Sequence, residues 1–532
     1  MLLLILANGA SIRWSLPPVP FADPDAWGYI GPAVTAPLDG HFIQIYGRGF
    51  LYPSFVRVAL AATGSFTGLV TLQHIIGLIG ALCFWMAWRE SQKKLPPDSV
   101  LSILHTATGL VAIAAYTLSN KLMFYEHSLR PEAIFPAFAA FTLWLLVRCF
   151  TLDRPSPALG RTVAGLGVMH AVLFCLHPSF GFAAAGCLVP VWVKLGLSSA
   201  STWRKILAVA ALPLGILGLH VLENAVYSKR DSTGRIFGSM TMFAFNADIV
   251  AMEIDADLSR PGTAAYPDEV LQNCSRLMHA NFERTLREGR THDSLPYRPD
   301  EMIYSRDSVV SYLREYWHDD PDKLNTFFHH YFFRGILHHP VIYAAKIGRG
   351  LNIPYGSSAS LMAYVSPRID VIHELNYTQE SLVDAYPRLK EYPPGHAYAS
   401  ELAATPRTEQ AENEEAVQLA VYGLRRFYSP LGAFCLAALA GAAVAAARTT
   451  ARQTHWRGLR DHAALVATLF SYNFLLSLMF AMVSAMDNIR YTENQLVFTL
   501  FSFFSGVMLV LHAAFIVVKA APAIPRSATA TP

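Results

Sequence analysis

Charge is what this sequence has least of. Acidic and basic side chains make up only 15% of the 532 residues, whereas hydrophobic ones make up 53%. An average soluble domain carries about 25% charged residues. The chain therefore lacks the polar surface that would hold a body of this length in water. Its net charge of +3 is close to neutral, which excludes the broad basic footprint of a nucleic-acid-binding protein. Cysteine is scarce too, with six in all. Cys83, Cys149, Cys175, Cys187 and Cys435 fall in apolar runs, where cysteine behaves as a small hydrophobe. Cys274 alone lies in a polar stretch and has no partner there for a disulfide. No Cys or His set has metal-ligand spacing, so neither a disulfide framework nor a structural zinc is indicated. There is no internal repeat of fixed period, and no low-complexity segment apart from the SATATP tail.

Long apolar runs take the place of charge. Only an unbroken helix satisfies its own backbone in hydrocarbon, so runs of about 17–25 apolar residues read as spanning helices. About ten are expected, near 1–12, 68–88, 101–119, 131–149, 162–177, 179–196, 206–227, 429–447, 462–485 and 494–518. The first, MLLLILANGA, is too short to cross without the following SIRW, and it lacks the basic residues with which a secretory signal begins. The reading is an all-α polytopic membrane protein in three parts. Residues 1–227 form an N-terminal transmembrane module with a first outside loop at 13–66. Residues 228–427 form a large, mixed-polar, largely helical insert, and 428–532 the C-terminal helices and a short tail.

The loops give this bundle a direction. Arg89, Lys93 and Lys94, then Arg148, Arg154 and Arg161, then Lys194, Arg204 and Lys205, then Arg448, Arg452, Arg457 and Arg460, and finally Lys519 and Arg526 all fall on alternate loops. Basic loops mark the cytoplasmic side. The other loops hold PFADPDAWGY, FYEHSLRPE, HPSF and MDNIRYTEN, and both long segments lie with them. Within the insert, the aromatic run FFHHYFF is suited to the membrane interface.

Candidate chemistry gathers on that non-cytoplasmic side. Asp23 and Asp25, two residues apart, could supply a general base, share a proton or form half of a cation site. The plainer reading makes Asp23 a helix N-cap before Pro24, with Asp25 in the first turn. Lys121, Glu126, His127, Arg130 and Glu132 crowd one loop, which could equally be two solvated helix ends. His177 stands alone at a tight turn, where a histidine is more often structural. Asp487, Arg490 and Tyr491 precede the final helix, and Arg48 lies in YGRGFLYPSF. Arginines on this side run against the positive-inside bias, and a lipid phosphate or a balancing carboxylate would account for them.

In this order the motifs resemble those of the GT-C integral-membrane glycosyltransferases, and in particular the bacterial relatives of protein O-mannosyltransferases and of the lipid A aminoarabinose transferase. Asp25-Ala-Trp-Gly-Tyr29 is similar to their Asp-Glu-x-x-Tyr segment, with Ala26 where the family often has Glu. YGRGFLYPSF resembles their Arg-Gly-Pro stretch, LRPEAIF their segment with Glu before a helix, DNIRY their Arg-Tyr pair, and HHPVIYAAKIGRGL a common His-Pro-x-x-Tyr segment. The resemblance implies transfer of a sugar from a polyprenyl-phosphate donor to a lipid, glycan or protein acceptor. The setting it implies is the outer face of the bacterial inner membrane, with the insert in the periplasm. Asp25, seconded by Asp23, would be the base; Arg48, Arg130 and Arg490 would meet the donor phosphate. Glu126, His127, Glu132, His177 and Tyr491 would position the acceptor or a divalent cation such as Mg or Mn. A transporter or flippase is the main alternative, and a polysaccharide ligase or polymerase of another fold is another. A translocator would need ionisable or broken segments at mid-membrane. Polar groups confined to one face favour surface chemistry.

Overall fold

A computed structural model describes residues 1–153, 156–178, 180–229, 232–260, 262, 264–289, 295–355, 367–405, 430–450, 453–483 and 495–520. Among these the chain is helical, with no strand beyond two isolated bridges, Phe21 with Ser128 and Ile43 with Lys229. The N-terminal module runs through α1 (Leu2–Ser15), α2 (Ala26–Asp39), α3 (Leu51–Thr63), α4 (Phe66–Ser91), α5 (Ser99–Thr117), α6 (Asn120–Glu126), α7 (Phe135–Thr151), α8 (Pro157–Leu176), α9 (Phe180–Gly196) and α10 (Thr202–Val226). Among the described residues, six helical stretches are long and apolar enough to cross a membrane: Phe66–Lys94, Ser99–Thr117, Ala158–Leu176, Thr202–Val226, Gly458–Val483 and Leu496–Lys519. Shorter apolar helices at Leu2–Ser15, Phe135–Thr151, Ala185–Gly196 and Cys435–Arg448 occupy the other four expected positions. The chain thus has the make-up of a polytopic helical membrane protein.

Helix ends follow local chemistry. Ser65 caps α4 by accepting from the Gly68 amide, Asp98 caps α5 through the Val100 and Leu101 amides, and Ser119 caps α6 through Leu122. Each satisfies amides that a first helical turn leaves open. Long-range polar contacts then gather the basic loops at one end of the bundle. Lys94 lies 3.1 Å from Asp461, and Lys519 donates to Asp98 at 2.9 Å. Lys194 donates to the carbonyls of Cys149, Phe150 and Leu152 at 2.8, 2.9 and 2.6 Å.

The insert has two destinations. Helices α11 (Ser232–Ala244), α12 (Ala247–Leu258), α13 (Asp268–Glu288), α14 (Pro299–Tyr304), α15 (Val309–Tyr316) and α16 (Pro321–His338) bury a core of their own around Phe243, Cys274, Tyr297, Leu313 and Tyr331. In the FFHHYFF run, Phe327, Phe328, Tyr331 and Phe332 are buried, and only His329 and Phe333 are exposed. The run expected at the interface is thus mostly core, because α16 carries it through the middle of this subdomain. After α17 (Pro340–Tyr355), the helices α18 (Pro367–Thr378), α19 (Arg388–Glu391) and α20 (Pro393–Ala404) return to the N-terminal module. Their Leu375, Leu389 and Tyr398, with Leu382 from the segment between α18 and α19, join the same core as Trp27 and Tyr52. Arg388 pairs with Asp39 at 2.5 Å, and the Tyr398 hydroxyl donates to the Pro20 carbonyl at 2.9 Å. The first outside segment is accordingly not a loop but two helices, α2 and α3, covered by chain from the insert. The last helices are α21 (Pro430–Thr450), α22 (Gln453–Val483) and α23 (Leu496–Ala520).

One close approach fixes the strand of loop between α2 and α3. Gly47 has φ +66°, and a Cβ there would collide with the Gly234 backbone at the start of α11. Gly40 has φ +70° with open space around it. Gly40→Ala should therefore cost only the left-handed penalty, about 1–2 kcal/mol. Gly47→Ala should cost clearly more, read as a larger drop in apparent melting temperature in detergent. Equal drops would show that the two glycine backbones are not in tight contact.

Candidate active site

The turn before α2 sets the centre of the site. The Asp23 carboxylate accepts from the Asp25 amide at 3.1 Å, and the Ala26 amide donates to the Asp23 carbonyl at 3.0 Å. Asp23 thus closes a turn that precedes the helix, and Asp25 is the residue that leads into α2. Pro24 lies in that turn and not at the first helical position, contrary to the capping reading. Arg130 reaches this turn from the α6–α7 connection. Its Nη1 donates to Asp23, its Nη2 lies 3.3 Å from Asp25 Oδ2, and its Nε lies 3.7 Å from Glu132. Arg48 approaches from the other side, with Nη2 at 3.2 Å from the second Asp25 oxygen. Five candidates from three separate stretches of sequence form one ion-pair network.

Arg48 also lines a cavity of about 440 Å³ together with Tyr29, Phe174, Ile216, His220 and Arg235. Its guanidinium lies over the Tyr29 ring at 4.8 Å and near the Phe237 ring at 5.4 Å, where a cation is attracted by the ring faces. Gly28 makes room for it, since a Cβ there would sit 3.0 Å from Arg48 Cγ. Burial alone would favour neutral Arg48, but the Asp25 carboxylate beside it helps to hold it charged. Burial pushes the Tyr29 phenol up, against the pull of Arg48, so it stays a neutral donor. The Arg48 Nε is buried and has no hydrogen-bond partner among the described residues. The cavity wall therefore carries both a fixed positive charge and a spare donor.

Sequence reasoning missed the contributions from the insert. Thr378 Oγ1 accepts from the Ala22 amide at 2.9 Å and donates to the Ala22 carbonyl at 3.2 Å. Tyr386 stacks on Trp27 at 4.6 Å and meets the Tyr46 hydroxyl at 3.2 Å. Burial, with Asp23 nearby, pushes the Glu374 carboxyl up against the pull of His373. These residues lie some 350 positions from the turn they clamp, and nothing local marks them.

Glu126 and His127 are placed elsewhere. Glu126 is buried and receives Arg13 through Nε at 2.6 Å and Nη2 at 2.8 Å, while His74 Nδ1 lies 3.1 Å away. His127 follows at 3.3 Å from His74, and its Nε2 donates to the Val19 carbonyl at 2.9 Å. Burial drives His127 down to about 3, so the ring is neutral. The alternative of two solvated helix ends does not hold, since these residues are buried: Arg130 and Glu132 face the aspartates, and Glu126 and His127 anchor the loop from beneath. Arg13 was not expected as a partner, although an arginine in the first apolar helix is an available signal. His177 ends α8 between the Phe135 and Phe480 rings, at 6.3 and 5.9 Å. Its neighbours Leu176 and Pro178 line the cavity. Arg490 and Tyr491 lie outside the described residues.

As they stand, the oxygens of Asp25 serve two arginines. Among the described residues, no three His, Cys, Asp or Glu side chains are gathered to hold a metal ion. The network and the cavity can offer an anionic group two guanidinium cations, with a carboxylate beside them. No protein-family model, curated protein or solved structure matches this chain. The class defined by fold and site is thus a helical membrane protein with a carboxylate–arginine centre at the end of the bundle away from the basic loops.

The buried Arg13–Glu126 pair allows a direct test. Removing one partner strands the other charge, at about 3–5 kcal/mol, whereas replacing both by apolar residues of similar size is close to neutral. Arg13→Met and Glu126→Leu should each lower the melting temperature strongly, and the double variant should recover most of the loss. Burial pushes the Glu126 carboxyl up, but Arg13 and His74 pull it net below its ordinary 4.5. Its stabilisation is present above pH 4.5 and is lost as pH falls through the folded value. The double variant should therefore lose less stability on acidification than wild type.

Proposed function

We propose that this protein is a membrane glycosyltransferase that moves a sugar from a polyprenyl-phosphate donor to an acceptor hydroxyl on the non-cytoplasmic face. The observation that carries the reading is the junction of Asp25 with Arg48 at the wall of the cavity. A base and a phosphate ligand are thereby set side by side. The motif resemblance supplies the reaction class. The basic loops gathered at the opposite end support an outward site in a bacterial inner membrane, with the insert in the periplasm.

In this reading the donor phosphate lies against Arg48 and Arg130, with Arg48 Nε as a further donor. Arginine binds phosphate oxygens bidentately and keeps its charge. Asp25 takes the proton from the acceptor hydroxyl, whose oxygen forms a bond to the anomeric carbon. The bond from that carbon to the phosphate oxygen breaks, and the lipid phosphate leaves with the electron pair, its charge met by the two guanidinium groups. Asp23 and Glu132 hold Arg130 in place, and the acceptor approaches from the side of α18 and α19. A lipid, a glycan or a protein fits this description equally. A divalent cation is not needed for any step above.

The test is reconstitution with radiolabelled polyprenyl-phosphate sugars. Loss of a general base costs about 10²–10⁴-fold in rate, so Asp25→Asn should abolish measurable transfer. Arg48→Ala should weaken use of the donor, and Arg48→Lys should restore it only in part. Transfer that survives Asp25→Asn removes Asp25 as the base. Wild type that consumes no lipid-linked sugar defeats the reaction class.

A further inference from the structure

The bend between α16 and α17 presents an apolar edge that the described residues leave uncovered. Phe333 and Leu337, one turn apart on α16, are 54% and 77% exposed, and Val341 at the start of α17 is 79% exposed. Ala344, Ala345 and Gly348 continue the exposed face along α17, at helical spacing from Val341. Soluble surfaces expose single apolar residues freely, but a continuous apolar ridge marks contact with something.

The position of α17 indicates what that is. Its opposite face packs inward: Ile347 and Leu351 lie against the main bundle core, and Tyr343 and Ile342 join Met482 in a small cluster. The Tyr343 hydroxyl donates to the Met482 carbonyl at 3.1 Å. Met482 is at the end of the Gly458–Val483 stretch, one of the six long enough to cross a membrane. The helix is thus fixed at the level where a span leaves the hydrocarbon, with its apolar side turned away from the protein and Arg349 exposed beside it.

The bend is also held rigidly. The buried Glu253 carboxylate on α12 receives Arg334 Nε at 2.6 Å, with His338 Nδ1 and His339 Nε2 each at 3.0 Å. Arg334 reaches Asp257 as well, at 2.6 Å, and Tyr331 donates to the same aspartate at 2.9 Å. These partners include both residues between Leu337 and Pro340. The ridge is therefore a fixed feature and not a frayed end.

We infer that the α16–α17 bend is a membrane anchor: its apolar ridge is buried in the leaflet on the side of the carboxylate–arginine centre, and Arg349 meets the lipid phosphates. The insert is then seated on the bilayer at a second point besides its connections to the spans. This holds its height above the site whatever reaction the site performs, so the inference does not depend on the transferase reading.

Single cysteines at Leu337 and Val341, introduced with Cys175→Ser and Cys435→Ser, can be labelled with an environment-sensitive NBD fluorophore in the full chain reconstituted into nanodiscs. Lys323→Cys in the same background is the aqueous control, since Lys323 is exposed on the far end of α16. An interfacial helix face lies about 5–10 Å into the headgroup–acyl boundary. Both labels should emit further to the blue than the control, and they should be quenched more strongly than the control when doxyl-labelled lipid replaces part of the bilayer, as at that depth. Labels at both positions that resist doxyl quenching overturn the inference. If they also emit in the blue, protein covers the ridge, and cross-linking between chains would identify a second copy. The two positions are independent surface sites, so failure of one variant to fold leaves the other to decide.

Discussion

A charge pair inside apolar surroundings holds this molecule's centre in place. Arg13 enters the core from the first helix and meets Glu126 with two hydrogen bonds, while its remaining nitrogen donates to the carbonyls of Gly9 and Thr117. Burying either charge alone would cost several kcal/mol, and only a well-formed pair offsets that. The geometry is correspondingly demanding. Gly77 of α4 faces the carboxylate, and a Cβ there would overlap it. Gln73 donates to the Glu126 and Ser128 carbonyls at 2.7 and 3.1 Å, and His127 donates to Val19. Residues 126–129 are thereby pressed alongside Phe21, so Arg130, next in sequence, arrives at Asp23 and Asp25. The buried pair does not face the cavity, yet the position of the site follows from it.

The site itself sets three carboxylates against two guanidinium groups in a half-buried place. Two aspartates and Glu132 face two arginines, and each arginine is shared. Arg130 divides itself between the aspartates, and Arg48 divides itself between Asp25 and the ring of Tyr29. A network of shared ion pairs holds its own geometry and still has a donor to give, through Arg48 Nε. The cover comes from far along the chain. Thr378, Tyr386 and Tyr398 attach the returning helices of the insert to residues 20–27 and to Tyr46. The insert is thus both a body with its own core and a clamp on the site.

Much of this was legible in advance because hydrocarbon leaves so few options. Spans stood out where polar residues were missing, and the charged groups left over fell on one face. Asp23, Asp25, Arg48, Arg130 and Glu132 were visible for that reason: the arginines ran against the positive-inside bias, and the carboxylates on the same face were there to balance them. Glu126 and His127 were visible for the same reason, but their role was not. A residue type in a loop does not reveal whether its side chain turns toward solvent or toward a buried arginine 113 positions away. The aromatic run of α16 was ambiguous in the same way, since a ring suits an interface and a core equally well.

By itself, then, the sequence determined the long apolar helices, the alternation of basic and acidic loops and the polar residues that had to be accounted for, because hydropathy, helical period and loop charge are properties of neighbours along the chain. Tertiary structure alone decided which of those residues meet. It paired Arg13 with Glu126, joined Arg48 and Arg130 through Asp25, brought Glu374 and Thr378 to the turn before α2, and left the ridge from Phe333 to Gly348 facing outward. Those outcomes depend on distances between residues hundreds of positions apart, which only packing sets.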